Sequence, residues 1–285
     1  MVIASTRDVA KYYDRQQIFY SYLWSRSALH YGFWFEGTRT LAEALANTDR
    51  FVAAALDIKS NDRVLDAGCG VGGTSLYIAE TTTASVEGIT LSNVQLRIAQ
   101  AKAARSAAAS RVIFSRQDFM HTRFDDGAFS KIFGIESVSH AMDKVGFLNE
   151  AYRLLRPGGR LVICDGFLTA TDFEADLHTH YLRFLEGWAL PHLAVLADFD
   201  NWLTSAGFSN VTFHNMQRYI DKSIDRIYWH GVATWVFSFM KGLFGSPRRD
   251  LAARYQKALF NQRVMTYGVF TADKATVPAV GVTTG

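Results

Sequence analysis

The sequence predicts an α/β fold in which a parallel sheet is wrapped by helices. Short β-branched runs alternate with helical stretches from Arg63 onward, and this alternation is typical of parallel strands joined by crossover helices. Hydrophobic residues make up 49% of the 285 residues and charged residues 20%, which excludes a disordered chain. Five buried strands are predicted in about a hundred residues, at RVLDA, SVEGIT, RVIFSR, SKIFGI and RLVICD.

The predicted helices fill the gaps between these strands. Helical spacing covers residues 73–80, 92–109 and 144–155. Pro157, followed by two glycines, is expected to stop the last of these helices after Arg156 and to turn the chain into the fifth strand. Two further strand-like runs, NVTFHNMQ and VMTYGVFTAD, follow with an aromatic helical segment between them, and helices precede the sheet up to HYGFW.

Charge, cysteine content and hydropathy narrow the classes of partner and compartment. The 30 basic and 27 acidic side chains leave a net charge of +3, far less than the clustered excess that nucleic-acid binding requires. Cys69 and Cys164 lie in apolar strand-like settings, which argues against a disulfide scaffold and favours the reducing cytoplasm. We see no secretory signal. The most apolar stretch, 227–244, is shorter than the ~20 residues of a spanning helix, so a buried helix is expected there, with peripheral membrane contact as the alternative.

The strongest local signal for function is VLDAGCGVGG, a strand followed by a glycine-rich turn that opens a helix. Glycines at 68, 70 and 73 allow a sharp turn and let a ligand approach bare backbone at the helix N-terminus. This spacing alone would equally fit a dinucleotide-binding dehydrogenase. Asp66, however, sits where a carboxylate would repel a pyrophosphate and attract an ammonium group. S-adenosylmethionine carries an ammonium and a sulfonium, whereas NAD carries neither.

The next two strand ends supply candidate contacts for the rest of this cofactor. The second strand runs into GITLSNVQ, which assigns ribose contacts to Thr90, the Leu91 backbone and Gln95, with Glu87 as an alternative on the opposite strand face. The third ends in QDF, where Asp118 could accept from an adenine amino group while Phe119 packs on its face. A helix cap is the competing interpretation for Asp118.

Taken in order, DAGCGVGG, GITLSNVQ, QDF, IESVSHAMDK and LRPGGRLVICD resemble the motifs of class I S-adenosylmethionine-dependent methyltransferases. The TLS-x-x-Q form, HYGFW and EGWALPHL resemble the branch that contains tocopherol and sterol C-methyltransferases and small natural-product methyltransferases. The resemblance implies a Rossmann-like sheet of seven strands, the last one antiparallel, with Tyr31 and Gly32 covering the methionine end of the cofactor. Ser139 and Met142 depart from the tocopherol-like pattern, so a tocopherol-type acceptor does not follow.

This resemblance divides the chain into regions and gives each a role. Residues 1–60 are expected to form an N-terminal helical cap, and 61–170 the core that binds S-adenosylmethionine through a set that also includes Gly68, Cys69 and Gly70. Residues 171–262 would form an acceptor-binding insertion with the sixth strand, 263–274 the last strand and 275–285 a loose tail.

Two residues beyond the fourth strand are the predicted catalytic pair. Glu136 and His140 should lie at the carboxyl edge of the sheet, where open α/β sheets bind ligands. His140, with an ordinary pKa near neutrality, could take a proton from a phenol or an amine. Glu136 could instead stabilise a carbocation formed when an alkene attacks the methyl group. A helix cap for Glu136 and a satisfied buried imidazole for His140 are the alternatives.

Aromatic residues make up 14% of the chain and crowd into 12–35 and 173–244, which indicates a cavity-forming cap. The residues expected to wall the acceptor pocket are Trp34, Trp188, Trp229 and Trp235, although a homodimer interface or plain core would use such side chains equally. Asp176, His178 and His180 invite a metal site, but histidines two apart point to different sides of a helix, so we expect no metal.

The sequence therefore predicts methyl transfer from S-adenosylmethionine to a bulky, largely apolar small molecule, an isoprenoid, sterol or prenylated aromatic, with C-methylation favoured. The alternatives are an O- or N-methyltransferase of a secondary metabolite with His140 as general base, and a cofactor-retaining homologue that transfers no methyl group.

Overall fold

The structure is a computed structural model that describes residues 8–15, 24–25, 28–240 and 252–276, and their side chains except those of 234–240. Seven strands form one sheet in the order β3-β2-β1-β4-β5-β7-β6. Their bounds are β1 Arg63–Ala67, β2 Ser85–Thr90, β3 Val112–Arg116, β4 Phe129–Ile135, β5 Leu155–Leu168, β6 Phe208–Asn215 and β7 Met265–Lys274. β1 to β5 pair in parallel, and β7 runs antiparallel to both β5 and β6. The predicted fold class, including the antiparallel last strand, is confirmed.

Helices cover both faces of this sheet. The first described helix, α1, spans residues 8–15. The others are α2 Leu41–Leu56, α3 Gly73–Thr81, α4 Asn93–Ala103, α5 Lys144–Leu154, α6 Ala175–Trp188, α7 Leu196–Ser205, α8 Gln217–Met240 and α9 Ala252–Asn261. α9 packs against α6 and α8. Within the described ranges, no helix combines the length and apolar character that crossing a membrane needs.

Two predicted helix ends are wrong, each for a local reason. α4 ends at Ala103 and a 3-10 turn follows at Ala109–Arg111. The Ser106 hydroxyl accepts from the Ala108 N–H, and such a local bond competes with helix continuation. α5 ends at Leu154, because Leu155 is already extended and the residues before Pro157 belong to β5.

Alternation along the strands divides the core into two clusters, one on each face. Val64, Phe133 and Val162 pack on one face, whereas Leu65, Ile132 and Leu161 pack on the other. Two buried carboxylates lie at the carboxyl edge of the sheet instead. Asp66 and Asp165 are both at least 95% buried there, close to the boundary between β1 and β4 where the strand order reverses. That boundary is where open α/β sheets bind ligands.

Candidate active site

A cavity of about 640 Å³ opens at the carboxyl edge of the sheet. The ends of β1, β2, β4 and β5 form its floor, and α1, the end of α6 and part of α9 form its walls. It is large enough for a nucleoside-sized ligand together with a second molecule. Most of the predicted site residues line it, and the lining residues among them are Tyr31, Asp66, Gly68, Cys69, Gly70, Thr90, Leu91, Gln95, Asp118, Phe119, Glu136, His140 and Trp188.

The glycine turn after β1 adopts a backbone that few other residues tolerate. Gly68, Gly70 and Gly72 have φ of 109°, 51° and 79°. A Cβ on Gly68 would lie 2.4 Å from the Ser137 Cβ, so this glycine is required for packing. A Cβ on Gly70 would meet nothing closer than the Gln95 Nε2 atom at 4.0 Å. It would project into the cavity, where the bare backbone now leaves room for a ligand.

Asp66 is a buried carboxylate that faces the cavity. Its Oδ2 atom accepts from the Ser75 hydroxyl at 2.6 Å, and Oδ1 makes no hydrogen bond with any residue that the structure describes. Burial raises the pKa of Asp66 to about 7, and the Ser75 hydrogen bond only partly opposes that rise. A cationic ligand at Oδ1 would favour the charged form.

At the end of β2, two of the residues predicted to contact the ribose, Thr90 and Gln95, are hydrogen-bonded to each other. The Thr90 hydroxyl donates to the Gln95 Oε1 atom at 3.1 Å, and the Gln95 N–H donates to the Ser92 hydroxyl at the start of α4. Asp14 of α1 accepts from the same Ser92 hydroxyl at 2.5 Å and from the Val94 N–H. α1 is thus fixed to the edge of the site. Glu87 lies away from it, paired with Arg63.

Asp118 and Phe119 follow β3 at the far end of the cavity. The Asp118 Oδ1 atom accepts from the Met120 N–H at 2.9 Å and so caps a turn; no helix begins here, so the helix cap given as the competing interpretation is wrong. The Phe119 ring packs edge-on against Phe147, with centroids 5.2 Å apart. Both residues line the cavity, and Asp118 Oδ2 makes no hydrogen bond with a described residue, so the cap does not prevent contact with a ligand.

Glu136 lines the cavity and has a left-handed backbone, φ 49°. Its Oε1 atom accepts two hydrogen bonds, from the Tyr31 N–H at 2.7 Å and from the Tyr267 hydroxyl at 2.8 Å. Its Oε2 atom has no hydrogen-bond donor among the described residues. Burial raises the pKa of Glu136 to about 7. The carboxylate therefore ties HYGFW to the sheet and still offers one oxygen to a ligand.

His140 lies in a 3-10 turn, Val138–His140, beside Glu136. Its Nδ1 atom is 3.3 Å from the Ala189 carbonyl, to which it must donate, so the Nε2 lone pair accepts from the Tyr13 hydroxyl at 2.9 Å. The expectation of a pKa near neutrality is wrong, because burial lowers the pKa of His140 to about 4. The imidazole is neutral at pH 7 and is a weak base.

Asp165, Tyr267 and Tyr13 are among the cavity-lining residues that the sequence did not identify. Asp165 of β5 is buried, accepts from the N–H groups of Ser139 and Gly166, and lines the cavity. Its position in RLVICD near a strand end was a usable signal, of the same kind as that of Asp66. Tyr267, in register with Gly166, and Tyr13 gave no signal, because each reaches the site across more than a hundred residues of sequence.

Several predicted residues lie elsewhere. Gly32 packs under the cap, with its N–H donating to the Ser223 hydroxyl and no room for a Cβ beside Ala44. Trp34 donates to the same Ser223 hydroxyl, and Trp229 is 63% exposed on α8, so neither lines the cavity. Amphipathic α8 turns Trp229 outward, which corrects its assignment to the acceptor wall. The Trp235 side chain lies outside the described residues.

The histidine pair of α6 does not form a cluster. His178 contacts Phe173 and His180 contacts Tyr255, because the segment is helical and the two rings leave it in different directions. Among the described residues, no three histidine, cysteine or acidic side chains are placed to share a metal ion.

The sequence of the chain is similar to those of known methyltransferases. The family model described as a methyltransferase domain matches residues 64–159. The chain is 35% identical over 167 residues to methyltransferase GfsG of Streptomyces halstedii, covering 58% of this chain and 60% of the relative. It is 28% identical to the 27-O-demethylrifamycin SV methyltransferase of Amycolatopsis mediterranei, over 77% of this chain and 80% of the relative. It is 31% identical to a sterol 24-C-methyltransferase of Schizosaccharomyces pombe, over 60% of this chain and 45% of the relative. The chain thus spans 60% or less of two of these three relatives.

Solved structures share the fold over nearly the whole chain. The cyclopropane synthase MmaA2 of Mycobacterium tuberculosis superimposes with a TM-score of 0.83 at 17% identity, covering 96% of this chain and 99% of the other. The [4+2]-cyclase SpnF superimposes with a TM-score of 0.81 at 22% identity, covering 97% of this chain and 98% of the other. Geranyl diphosphate C-methyltransferase of Streptomyces coelicolor A3(2), in complex with geranyl diphosphate and S-adenosyl-L-homocysteine, gives 0.74 at 16% identity, covering 95% and 98%.

Proposed function

The chain belongs to the class I S-adenosylmethionine-dependent methyltransferases of the small-molecule branch, and on this basis we propose that it methylates a bulky, largely apolar small molecule. The observation that carries the proposal is one continuous cavity with two chemically different halves. Asp66 and the glycine turn line one half. Apolar side chains line the other, among them Phe184, Trp188, Leu190, Leu193 and Phe260.

The first half fits S-adenosylmethionine. The space over Gly70 is open, and any side chain at this position would fill it. Asp66 has a carboxylate oxygen without a hydrogen-bond donor among the residues described. Asp66 would hold the ammonium group, and the backbone of the turn would lie against the nucleoside. Thr90 and Gln95 would exchange their mutual hydrogen bond for bonds to ribose hydroxyls. When bound, S-adenosylmethionine supplies a methyl group on a positively charged sulfur.

The apolar half excludes water and holds the acceptor on the axis of the transferred methyl group, which is the main requirement of an in-line displacement. Glu136 lies at the junction of the two halves with Oε2 open, and Asp165 lies on the next strand. The rings of Tyr31 and Tyr267 pack edge-on beside Glu136, 5.2 Å apart. A carboxylate and aromatic rings both stabilise positive charge, which favours an acceptor that becomes cationic during reaction, as an alkene carbon does.

An O- or N-methyltransferase remains the second candidate, and His140 favours it. The Nε2 atom of His140 holds a lone pair that now accepts from Tyr13, and an acceptor hydroxyl could take the place of that phenol. The low pKa of His140, about 4, makes it a poor general base at neutral pH. The curated relatives named for O- and C-methylation support either chemistry.

The likeness in fold to a [4+2]-cyclase supports a third candidate, a homologue that retains the cofactor without transferring its methyl group.

Calorimetric titration with S-adenosylmethionine tests the cofactor half of the proposal. We expect micromolar binding that D66A weakens by at least tenfold, whereas D118A, with its turn cap removed, should lose less. Binding that is equal in the wild type and D66A would contradict the role of Asp66.

Incubation with methyl-labelled cofactor and a panel of isoprenoids, phenols and amines tests the acceptor half. Label should enter an apolar isoprenoid or prenylated aromatic. Label in polar amines alone would reject the acceptor class, and cofactor that binds without ever being consumed would favour the non-methylating homologue.

A further inference from the structure

The end of α6 carries a polar atom that nothing in the described structure satisfies. The indole nitrogen of Trp188 is buried, and it has no hydrogen-bond acceptor among the described residues. Trp188 itself lines the acceptor half of the cavity. An indole N–H is a donor only, so its burial without an acceptor costs free energy in the absence of a ligand.

Hydrogen bonds anchor the backbone that follows Trp188. Ala189, the next residue, has a left-handed backbone, and its carbonyl accepts from the His140 Nδ1 atom. The Leu193 N–H donates to the Tyr181 hydroxyl at 2.9 Å, and the buried Lys144 ammonium donates to the His192 carbonyl, also at 2.9 Å. The backbone from Ala189 to Leu193 is therefore anchored at three points, directly after the residue that carries the unpaired donor.

We propose that Trp188 is a specificity-determining residue that donates a hydrogen bond to an oxygen atom of the acceptor. This rests on the proposed function, which makes the apolar half of the cavity the acceptor site, and it narrows the substrate class. The acceptor is an oxygenated apolar molecule, a ketone, ether, lactone or alcohol, rather than a plain hydrocarbon.

Charge and position agree with this substrate class. Trp188 is adjacent in sequence to Ala189, whose carbonyl accepts from His140, and Trp188, His140 and Glu136 all line the same cavity. The carboxylates of Glu136 and Asp165 would repel an anionic oxygen there. A neutral carbonyl or hydroxyl oxygen satisfies the indole without that repulsion. A site built around such a donor discriminates strongly against an analogue that lacks the oxygen.

The test measures binding to protein saturated with S-adenosylhomocysteine, so that it does not depend on methyl transfer. The probes are geranylacetone and the hydrocarbon of the same carbon skeleton without the carbonyl oxygen. Wild type should bind the ketone between about fivefold and a hundredfold more tightly. W188F keeps the aromatic shape without the N–H and should bind both probes alike. W202F is the matched control, because Trp202 packs on Phe199 away from the cavity.

A spectroscopic measurement on the wild type makes the test independent of how the variant folds. With ¹⁵N-tryptophan labelling, six indole signals are expected, and the one absent from W188F belongs to Trp188. Geranylacetone should move that proton signal downfield, and the hydrocarbon should not.

Equal binding of the two probes to the wild type, or a preference that survives in W188F, would overturn the assignment, as would failure of both probes to bind. A preserved preference for the ketone in protein that transfers no methyl group to any acceptor would instead reject the proposed function alone.

Discussion

The Tyr267 hydroxyl donates to the Glu136 Oε1 atom over 2.8 Å, across 131 residues of sequence. Tyr267 lies near the beginning of antiparallel β7 and Glu136 just after the end of parallel β4, so the two meet at one edge of the sheet. Tyr267 is fully buried and also contacts the Cys164 sulfur at 3.2 Å. One of the carboxylates that line the cavity is therefore positioned by the last strand of the fold.

Removing that donor should change the pH dependence of catalysis. The Tyr267 hydrogen bond lowers the pKa of Glu136, in opposition to the larger effect of burial. Y267F should therefore move the acid limb of the kcat/KM profile to higher pH and reduce kcat/KM near pH 7 about three- to tenfold. Y152F, remote from the cavity, is the control. An unshifted limb would mean that the charged form of Glu136 is not required.

Asp66 should make the ligand-free protein less stable as the pH rises. Its folded pKa of about 7 exceeds the ordinary value of 3.8, so its contribution is fully present below about pH 4 and is lost as the pH rises through 7. D66N does not titrate and should become the more stable protein at high pH, by one to a few kcal/mol, roughly. Urea unfolding of both proteins at several pH values measures this difference. D200N, on the exposed face of α7, should follow the wild type, and parallel curves for D66N and wild type would disprove the prediction.

Two alanine substitutions in the glycine turn should separate folding from binding. G68A places a methyl group against Ser137 and adds backbone strain at φ 109°, so it should destabilise the fold by more than about 2 kcal/mol. G70A has the strain but not the clash, and should cost about 1 kcal/mol while lowering the affinity for S-adenosylmethionine at least tenfold. Thermal unfolding and calorimetry distinguish them. Normal cofactor affinity in folded G70A would show that S-adenosylmethionine does not occupy the open space over this glycine.

His140 distinguishes the two chemistries. If the acceptor atom is an alkene carbon, H140Q should retain kcat within about threefold, because no proton is removed by the imidazole before methyl transfer. If the acceptor is a hydroxyl or amine, kcat should fall about a hundredfold or more, and the wild-type rate should depend on pH. Single-turnover rates on the identified acceptor measure both. A hundredfold loss with a carbon acceptor would contradict the role assigned to Glu136.

Local sequence was sufficient for much of the cofactor half. Gly68 and Gly70 adopt the positive φ angles that their spacing predicts, and Asp66 is buried beside them at the end of β1. These features depend on residues within a few positions of one another, and the local backbone preference of glycine decides them. The alternating strands followed from the same kind of pattern, whereas the antiparallel last strand was implied by the resemblance to class I methyltransferases.

What the sequence by itself determined is thus the sheet, the glycine turn and the class of cofactor. The tertiary structure decided the acceptor half: that His140 is a weak base, that Trp229 faces outward, and that Tyr13, Asp165 and Tyr267 join the site. The physical reason is that the pKa of a buried group depends on how completely water is excluded from it. That exclusion comes from segments such as α1 and β7, which approach the site only when the whole chain has folded.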